Sequence, residues 1–525
     1  MISHRRDFSV QGRCRHAYTL NLEIHEEVTQ VGAEKQGAKK RVAWFGILFL
    51  ICAAAGVFFF LWAVHRVHGI PSDEARITDV AALSEGGFDG VLLSMYTPEA
   101  FPGEDFNYYR GVPTLQAFHS FQNLADIGDY LEQCFNCNPD LTSVYIGFDA
   151  YAVSSLYGNH ASLYIKDYES YLLKYVRDHS DAKFELLLPS YSLNFLKDKS
   201  KDEYEEIITS YRNLVNLCIP YDNIFVHFLG YEEWLIANPG NYSSAEYCIP
   251  DVAHAVLVRT FQNENYVLDP NNMEGRFEQL TKLVQASAID YPDLTQWCMV
   301  FFGDSILQYL TGSYSIPGVV GGLTGAQVYN CAQGGMPASD DPDAILSARL
   351  MVKRFLEQDI SGLDENCNFV HGLNKYIGES HDDKKYCFVI NFGTNDYFGG
   401  HPIENQEDSF DSGTYSGALR TSIQMLKEAY PDARIILITP GYTAEFSAGQ
   451  EKQSEVGDVL IEYVAAAIRV AEDMDVMYIN TYADSGIDKD TWTLYLPDGT
   501  HPNEKGAFLL GNCIVEEMAA MVAAE

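Results

Sequence analysis

Three side chains near the C-terminus have the chemical types that attack on an ester carbonyl requires. Ser305 follows the apolar run WCMVFF and a Gly-Asp pair, and a serine at such a turn is a candidate nucleophile. His501 is a candidate base, which takes the serine proton and passes it to the leaving alcohol. Asp498 stands three residues before His501 and can accept its other ring N–H. We therefore predict a catalytic triad of Ser305, Asp498 and His501.

The same reaction needs N–H donors for the charge that develops on the carbonyl oxygen. The backbone amide of Ser305 is one candidate for this oxyanion hole. The amide of Gly335, in the glycine-rich turn that starts at Asn330, is a second candidate. The side-chain amide of Asn395, in the segment GTND after the apolar run CFVINF, is a third. Each residue alone is typical of a turn, but together and in this order they predict a serine hydrolase site.

Regular secondary structure must bring these distant segments together. Apolar runs at 297–302, 386–391, 434–439 and 476–480 predict buried strands, and helical periodicity at 415–430 and 456–471 predicts amphipathic helices between them. Such alternation indicates an α/β fold, with a parallel sheet covered on both faces. Ligands bind at the carboxyl ends of the strands in such sheets, and each candidate residue follows a strand or precedes a helix there.

The order of these blocks resembles the SGNH hydrolase superfamily, also called GDSL esterases or lipases. The namesake residues match Ser305, Gly335, Asn395 and His501, and Asp498 matches the acid of the family. The segments GTNDYFGG, GALRTSIQML and DGTHPNEKG are also similar to bacterial members. The resemblance covers residues 294–525 and implies a three-layer flavodoxin-like parallel sheet with a hydrolase-type catalytic site.

A second α/β domain is predicted at residues 72–262, with strands at 144–148, 184–188 and 224–228. It is similar to degenerate SGNH domains of polysaccharide O-acetylation proteins, which implies that its nucleophile, acid and base are replaced. The alternative is an unrelated α/β domain. In either case we expect this domain to act as a spacer, to bind a ligand or to dock a partner. Residues 263–293 are predicted to be a linker with one helix at 273–287. In the proposed alignment Ser94, Met95 and Tyr96 stand against Gly303, Asp304 and Ser305, while Ser244 and Tyr247 stand at the positions of Asp498 and His501.

One segment is predicted to cross a membrane. Residues 42–64 contain no charged side chain and would form a helix of about 34 Å, enough for a hydrocarbon core of about 30 Å. A cleaved signal peptide is the alternative, but its apolar core would be shorter and its leader would not reach 41 residues. Basic residues at 35 and 39–41 predict a cytoplasmic N-terminus, with a disordered tail at 1–41 and an extracellular catalytic domain.

Charge and cysteine content exclude some partners and leave others open. The net charge of −38 repels phosphate backbones, so nucleic-acid binding is not expected. Cys134 and Cys137 form one C-x-x-C motif, but no second pair stands at zinc-ribbon spacing. A local disulfide and two free thiols both fit this motif better than a metal site. We expect neither a metal nor a cofactor.

Three functions from different classes remain. The first is an extracytoplasmic serine esterase that removes acetyl or other short acyl groups from carbohydrate through an acyl-serine. The second is a polysaccharide O-acyltransferase, which a membrane partner supplies with acyl groups; the predicted tether favours it. The third is a non-catalytic surface protein that binds glycans. A complete oxyanion set favours hydrolysis over transfer, and an intact triad disfavours the third function.

Overall fold

The computed structural model describes residues 80–94, 114–118, 123–157, 161–244, 248–262, 264–287, 291–341, 345–381, 383–444 and 459–523. All of them belong to one compact unit that runs from Arg76 to Glu525. The predicted tail and the predicted membrane span at 42–64 lie outside the described residues. Within the described ranges, no helix is both long and apolar enough to span a bilayer.

Two five-stranded parallel sheets organise the described chain, one in each predicted α/β domain. We call residues 80–285 the first domain and residues 291–523 the second domain. The first sheet has the order β2-β1-β3-β4-β5, and the second has the order β7-β6-β8-β9-β10, read from the opposite edge. The two sheets therefore share one topology, the 2-1-3-4-5 order of flavodoxin-like folds. The strands are β1 Gly90–Ser94, β2 Thr114–Phe118, β3 Ser143–Gly147, β4 Lys183–Leu187, β5 Ile224–His227, β6 Trp297–Gly303, β7 Gln327–Asn330, β8 Lys385–Asn391, β9 Arg434–Ile438 and β10 Met477–Ile479.

Helices connect the strands in the crossovers that parallel pairing requires. Those of the first domain are α1 Leu124–Cys137, α2 Ala150–Ser155, α3 Ala161–Tyr168, α4 Lys174–Asp178, α5 Leu193–Lys197, α6 Lys201–Cys218, α7 Glu233–Ile236, α8 Pro250–Gln262 and α9 Met273–Gln285. Those of the second domain are α10 Ser305–Gln308, α11 Ile316–Thr324, α12 Ala348–Glu357, α13 Asn368–Gly378, α14 Thr394–Gly399, α15 Tyr415–Ala429, α16 Leu460–Asp473, α17 Thr481–Asp484, α18 Trp492–Tyr495 and α19 Glu504–Ala523.

The second sheet is buried on both faces, as its unbroken apolar runs predict. Every residue of β6 is buried. Val300 and Phe302 face a core shared with α12, α13, α15 and α16, whereas Met299 and Phe301 face the core that contains residues of α11 and α19. The predicted strands and helices of this domain are present, with ends that differ by one to four residues. The α/β prediction with a parallel sheet is confirmed.

The segment 263–293 is predicted to be a linker with one helix, and its described residues 264–287 pack into the first domain. The helix is α9, and its Phe277 and Leu280 are buried in the core. Arg212 on α6 makes a two-point ion pair with Glu274, at 2.7 and 2.9 Å. Upstream of α9, the Leu268 amide donates to the Val226 carbonyl at 2.7 Å, which adds a short antiparallel contact to the edge of β5. This segment therefore contributes to the core of the first domain.

One apolar core continues from the first domain into the second. Leu235 and Val252 of the first domain belong to the same buried cluster as Val319 and Ile514 of the second. An interface of this apolar kind disfavours free motion between domains. The two sheets are consequently parts of one body.

The nine cysteines in the described part of the chain are free thiols. Cys134 and Cys137, the C-x-x-C pair, are unbonded, so the free-thiol alternative fits this structure. Burial raises the pKa of the Cys134 thiol to about 12, and the neighbouring Cys137 adds to this effect. Cys134 is consequently a poor nucleophile and a poor metal ligand at neutral pH.

Candidate active site

The structure brings the three predicted triad residues into contact. Ser305 is the first residue of α10, directly after the carboxyl end of β6. Its Oγ lies 2.8 Å from Nε2 of His501, and Nδ1 of His501 lies 2.6 Å from Oδ2 of Asp498. This chain of contacts lets the imidazole receive the Ser305 proton while the carboxylate fixes the ring orientation. The triad is assembled across 196 residues of sequence.

Asp498 also shapes the loop that carries the histidine. Its Oδ1 accepts from the amides of Thr500 at 2.9 Å and His501 at 2.7 Å. Gly499 takes a φ of +83°, which favours glycine. Partial burial disfavours ionisation, but the hydrogen bonds from the His501 ring and from both amides outweigh it and lower the Asp498 pKa to about 2. The carboxylate therefore stays ionised when His501 becomes a cation.

Tyr309 contacts His501, the predicted base, and was not identified from the sequence. Its ring stacks on the ring of His501, with centroids 4.7 Å apart and planes inclined by 16°. The tyrosine is 51% exposed, so it lies at the mouth of the site. An aromatic face at this distance stabilises a cation, and His501 becomes cationic when it takes the serine proton. A tyrosine four residues after a serine carries no such signal in sequence.

Asp304 caps α10, the helix that begins with Ser305. Its Oδ1 accepts from the Ile306 amide at 2.9 Å, and the side chain is almost fully buried. Burial, with a smaller contribution from the Asp396 carboxylate, raises its pKa to about 7. The hydrogen bond from the Ile306 amide, the charge interaction with His501 and the hydrogen bond from the Asn395 amide offset this only in part. A carboxyl group that titrates near neutrality thus lies directly behind Ser305.

The glycine-rich turn lies beside the nucleophile. The Gly334 amide donates to Oε1 of Gln308, a contact that the sequence did not indicate. A Cβ built on Gly334 would lie 3.4 Å from the Cβ of Ser305, so the turn approaches the serine closely. Gly335 follows with a φ of +77°, a conformation that favours glycine. The turn is next to Ser305 as expected, and the donor role of the Gly335 amide stays a prediction.

Asn395 lies on the short helix α14, after the carboxyl end of β8. Its side-chain amide donates to the Met336 carbonyl at 3.1 Å and lies near the Asp304 carboxyl. Asn395 is therefore held between the glycine-rich turn and the cap of α10. One of its two amide hydrogens is used by the Met336 carbonyl. Donation by the side chain to a substrate oxyanion stays a prediction.

The neighbouring Asp396 fixes the loop that follows the glycine-rich turn. Its buried carboxylate accepts from the amides of Ala338 at 2.7 Å and Ser339 at 3.0 Å, and from the Ser339 hydroxyl at 2.7 Å. Burial raises its pKa, and these hydrogen bonds oppose that shift. The structure thus agrees with a loop-shaping role for Asp396.

The corresponding edge of the first domain carries different groups. Asp149, after β3, accepts from the hydroxyl of Tyr191 at 2.6 Å and from the Ala152 amide at 2.8 Å. Ser244, predicted at the position of the acid, is exposed. Ser94 ends β1, paired with Gly147 of β3. The predicted counterparts Met95, Tyr96 and Tyr247 lie outside the described residues.

Comparison with known proteins finds similarity to ester hydrolases. Residues 301–507 match the model of the GDSL-like Lipase/Acylhydrolase family, and this segment contains Ser305, Asp498 and His501. A 131-residue stretch is 28% identical to the isoamyl acetate-hydrolyzing esterase 1 homolog of Bos taurus. That match covers 24% of this chain and 52% of the bovine protein, so the chain spans about half of the length of this relative.

Solved structures that match the chain include two bacterial proteins. A carbohydrate acetylesterase from Sinorhizobium meliloti is 15% identical, with a TM-score of 0.28, over 43% of this chain and 99% of that one. A GDSL-like lipase structure from Parabacteroides merdae is 17% identical, with a TM-score of 0.29, over 44% of this chain and 98% of that one.

Proposed function

We propose that the GDSL-like domain at residues 301–507 gives this protein a serine esterase activity. The observation that carries the proposal is the unbroken contact from Ser305 Oγ to His501 Nε2 at 2.8 Å and from His501 Nδ1 to Asp498 at 2.6 Å. A serine, a histidine and a carboxylate in this arrangement supply a nucleophile, a base and a group that orients the base.

The reaction proceeds in two halves. In the first, His501 Nε2 takes the Ser305 proton while Oγ bonds to the ester carbonyl carbon, and amides of Ser305, Gly335 and Asn395 hold the oxyanion. The tetrahedral intermediate collapses, the C–O bond breaks, and His501 returns the proton to the leaving alcohol. In the second half, water gives a proton to His501, its oxygen attacks the acyl carbon, and Ser305 leaves with that proton restored.

The proposed substrates are carbohydrates that carry acetyl or other short acyl esters. The name of the bovine relative assigns it hydrolysis of isoamyl acetate, a small acetyl ester. The net charge of −38 favours uncharged substrates over anionic ones. Half-exposed Tyr309 at the mouth of the site offers an aromatic surface on which a sugar ring can stack.

The direct test is turnover of p-nitrophenyl acetate by the purified chain and by Ser305→Ala. We expect the substitution to lower kcat/KM by at least about 10³-fold, because the acyl-serine can no longer form. Ser170→Ala is the matched control, since it removes an exposed helical hydroxyl of the first domain whose hydrogen bond is local. Activity of Ser305→Ala equal to that of the control would reject the assigned nucleophile.

Acyl transfer to a sugar hydroxyl is the alternative use of the same acyl-serine. It is favoured by the predicted membrane span at 42–64, beside which a membrane partner could deliver acyl groups. The two reactions separate when an acetylated xylan is offered with and without an oligosaccharide acceptor. Acetate release that does not depend on the acceptor marks the esterase, and faster transfer than release marks the acyltransferase.

We further propose that residues 42–64 anchor the chain with its catalytic domain outside the cell. The uncharged segment and the basic residues on its N-terminal side support this orientation. Protease treatment of intact cells tests it, because an external domain would be cleaved without lysis. Protection of the domain until lysis would reject the orientation.

The first domain is proposed to be a degenerate copy of the second. The two sheets share one strand order. The segment LLPSYS at 187–192, which begins at the last residue of β4, parallels ITPGYT at 438–443, which begins at the last residue of β9. By residue type, the aligned positions Tyr96, Ser244 and Tyr247 supply neither a histidine nor an acid. The proposal requires Ser305→Ala to retain no serine-dependent turnover. Residual activity that a serine-directed fluorophosphonate removes would place a second working site in the first domain.

A further inference from the structure

The segment that follows the catalytic histidine is held by side chains of the first domain. Glu504 and Lys505 are the first two residues of α19, and they come three and four residues after His501. Arg259 of α8 makes a two-point contact with Glu504, in which Nε donates to Oε1 at 3.0 Å and Nη2 donates to Oε2. Lys505 Nζ lies 2.9 Å from Oε2 of Glu232. Two ion pairs thus join the domains beside His501.

The carboxylates of both ion pairs are buried, unlike those of ordinary surface ion pairs. Glu504 is 8% exposed and Glu232 is 3% exposed. The second oxygen of Glu232 accepts from the Tyr266 hydroxyl at 3.2 Å, so this carboxylate is fixed within the first domain. A bidentate Arg–carboxylate contact restricts both distance and orientation. The pairs therefore restrain where α19 begins.

The surrounding interface is rigid enough to transmit this restraint. Asn238 and Asn241 of the first domain are fully buried, and Asn238 donates to the Ser313 carbonyl at 2.9 Å while the Ser313 hydroxyl donates to Asn241 at 2.8 Å. A Cβ on Gly240 would lie 2.7 Å from the Cα of Gly322, so the two backbones touch. Such contacts leave little room for one domain to slide on the other.

Within its own domain, the same segment is tied by backbone contacts. The Asn503 amide donates to the Tyr495 carbonyl at 2.8 Å, and Asn503 Oδ1 accepts from the Gly506 amide at 3.0 Å. Residues 501–505 are therefore held from one side by their own domain and from the other by the first domain. His501 is the one residue of this segment that contacts the nucleophile.

We propose that the first domain is a positioning element of the active site, in which Arg259 and Glu232 keep the segment after His501 in register with Ser305. This inference rests on the proposed esterase function. Arg259 and Glu232 touch neither the nucleophile nor the base, so they act through Glu504 and Lys505. The first domain thus supports a reaction that takes place in the second domain.

The experiment compares steady-state hydrolysis of p-nitrophenyl acetate by the full chain and by the double variant Arg259→Met, Glu504→Gln. Removing both charges together avoids a buried carboxylate without a partner, which would destabilise the fold. We expect kcat to fall by about tenfold to a hundredfold with KM changed less than about twofold, because small displacements of a catalytic group are costly in rate. Arg259→Lys, which keeps one charge, should recover part of kcat.

Arg212→Met is the matched control, since Arg212 makes an equivalent two-point contact with Glu274 inside the first domain. It should leave kcat unchanged. The thermal unfolding midpoints of all variants are measured in parallel. The proposal is overturned if the double variant retains kcat within twofold of the wild type. It is also overturned if Arg212→Met lowers kcat equally, since the effect would then be general loss of stability.

Failure of this inference is distinguishable from failure of the proposed function. If Ser305→Ala is inactive and the double variant is fully active, the esterase stands and the positioning role falls. If Ser305→Ala is as active as the wild type, the proposed nucleophile falls and the positioning role falls with it.

Discussion

Each domain contains a contact between a histidine and a carboxylate, but the surroundings of the two contacts differ. In the second domain, Asp498 and His501 are 2.6 Å apart on a loop beyond the sheet, and the other ring nitrogen of His501 reaches Ser305. In the first domain, Glu185 and His227 are 2.5 Å apart, both buried, in the neighbouring strands β4 and β5. The Asp498–His501 pair is placed where it can exchange protons with a substrate, whereas the Glu185–His227 pair is enclosed in the sheet.

The comparison shows that a shared topology determines where the carboxyl-terminal edge of the sheet lies. The loops at that edge determine which chemical groups it carries. Both sheets present the carboxyl ends of the same strand order. Only the second domain, among the described residues, places a serine at the start of a helix directly against a histidine. At the equivalent edge of the first domain, Asp149 bonds to Tyr191, and Glu232 holds Lys505 of its neighbour. The edge of the second domain therefore suits catalysis, and the edge of the first domain suits contact with the second domain.

The largest effect expected from a single orienting group concerns Asp498. Asp498→Asn should lower kcat/KM for p-nitrophenyl acetate by about 10³- to 10⁴-fold, because an amide favours the wrong tautomer of the histidine. Glu185→Gln alters the histidine partner of the first domain, and kinetic measurements on both variants sharpen the contrast. We expect kcat to stay near the wild-type value in any folded Glu185→Gln protein. A comparable catalytic loss there, with an unchanged unfolding midpoint, would break the contrast.

The second effect concerns Asn395, a predicted oxyanion donor of the second domain. Asn395→Ala should lower kcat by about 10²- to 10³-fold, as expected for loss of one donor to the oxyanion. Asn366→Ala, at an exposed turn of the same domain, is the control. If Asn395→Ala changes KM and leaves kcat intact, Asn395 binds substrate and does not stabilise the transition state.

The third effect is on stability and its dependence on pH. Asp304 has a raised pKa of about 7 in the folded protein, against about 4 when unfolded, so its contribution to stability is complete below pH 4 and is lost as pH rises through 7. Asp304→Asn cannot ionise. The free energy of unfolding of the variant, relative to that of the wild type, should therefore increase between pH 5 and pH 8 by on the order of 3 kcal/mol.

Urea unfolding of both proteins at the two pH values measures this difference. Asp490→Asn, which changes an exposed carboxylate of the same domain, should follow the wild type at both pH values. Aligned against Asp304, the first domain carries Met95. An identical pH dependence in wild type and Asp304→Asn would show that this buried carboxyl is not the source of the difference.

The smallest effect concerns Tyr309, which stacks on His501. Tyr309→Leu should lower kcat by about twofold to fivefold, since an exposed cation–π contact contributes about 0.5–1 kcal/mol. Tyr309→Phe keeps the ring and should retain the wild-type kcat. If both variants lose activity equally, the hydroxyl is the important group, and the stacking explanation is wrong.

Much of the fold follows from local patterns that the sequence displays openly. The run at 297–302 predicted a strand that the structure extends to Gly303, because an apolar run without breaks suits a strand buried on both faces. The spacing of Tyr415, Leu419, Ile423 and Leu426 predicted a helix, and all four are buried in α15. The ends of elements were less accurate, since capping by residues such as Thr414 depends on local hydrogen bonds.

The candidate site was predictable where chemistry restricts the residue type. A nucleophile, a base and an acid allow few side chains, so Ser305, His501 and Asp498 could be chosen from their order and their neighbours alone. The contacts of Gln308 and Tyr309 were not predicted, because many residue types can follow a nucleophile. Only the folded loop shows which groups these two side chains touch. Membrane anchoring by residues 42–64 stays a prediction.

The sequence by itself determined which side chains suit the proposed reaction and which segments form strands, because residue type and periodicity are local properties. The tertiary structure alone decided that Tyr309 stacks on the ring of His501 and that Arg259 reaches Glu504 across 245 residues. The physical reason is that such contacts depend on how two sheets pack into one body. Packing is a sum over many weak distant contacts, and no short stretch of sequence displays that sum.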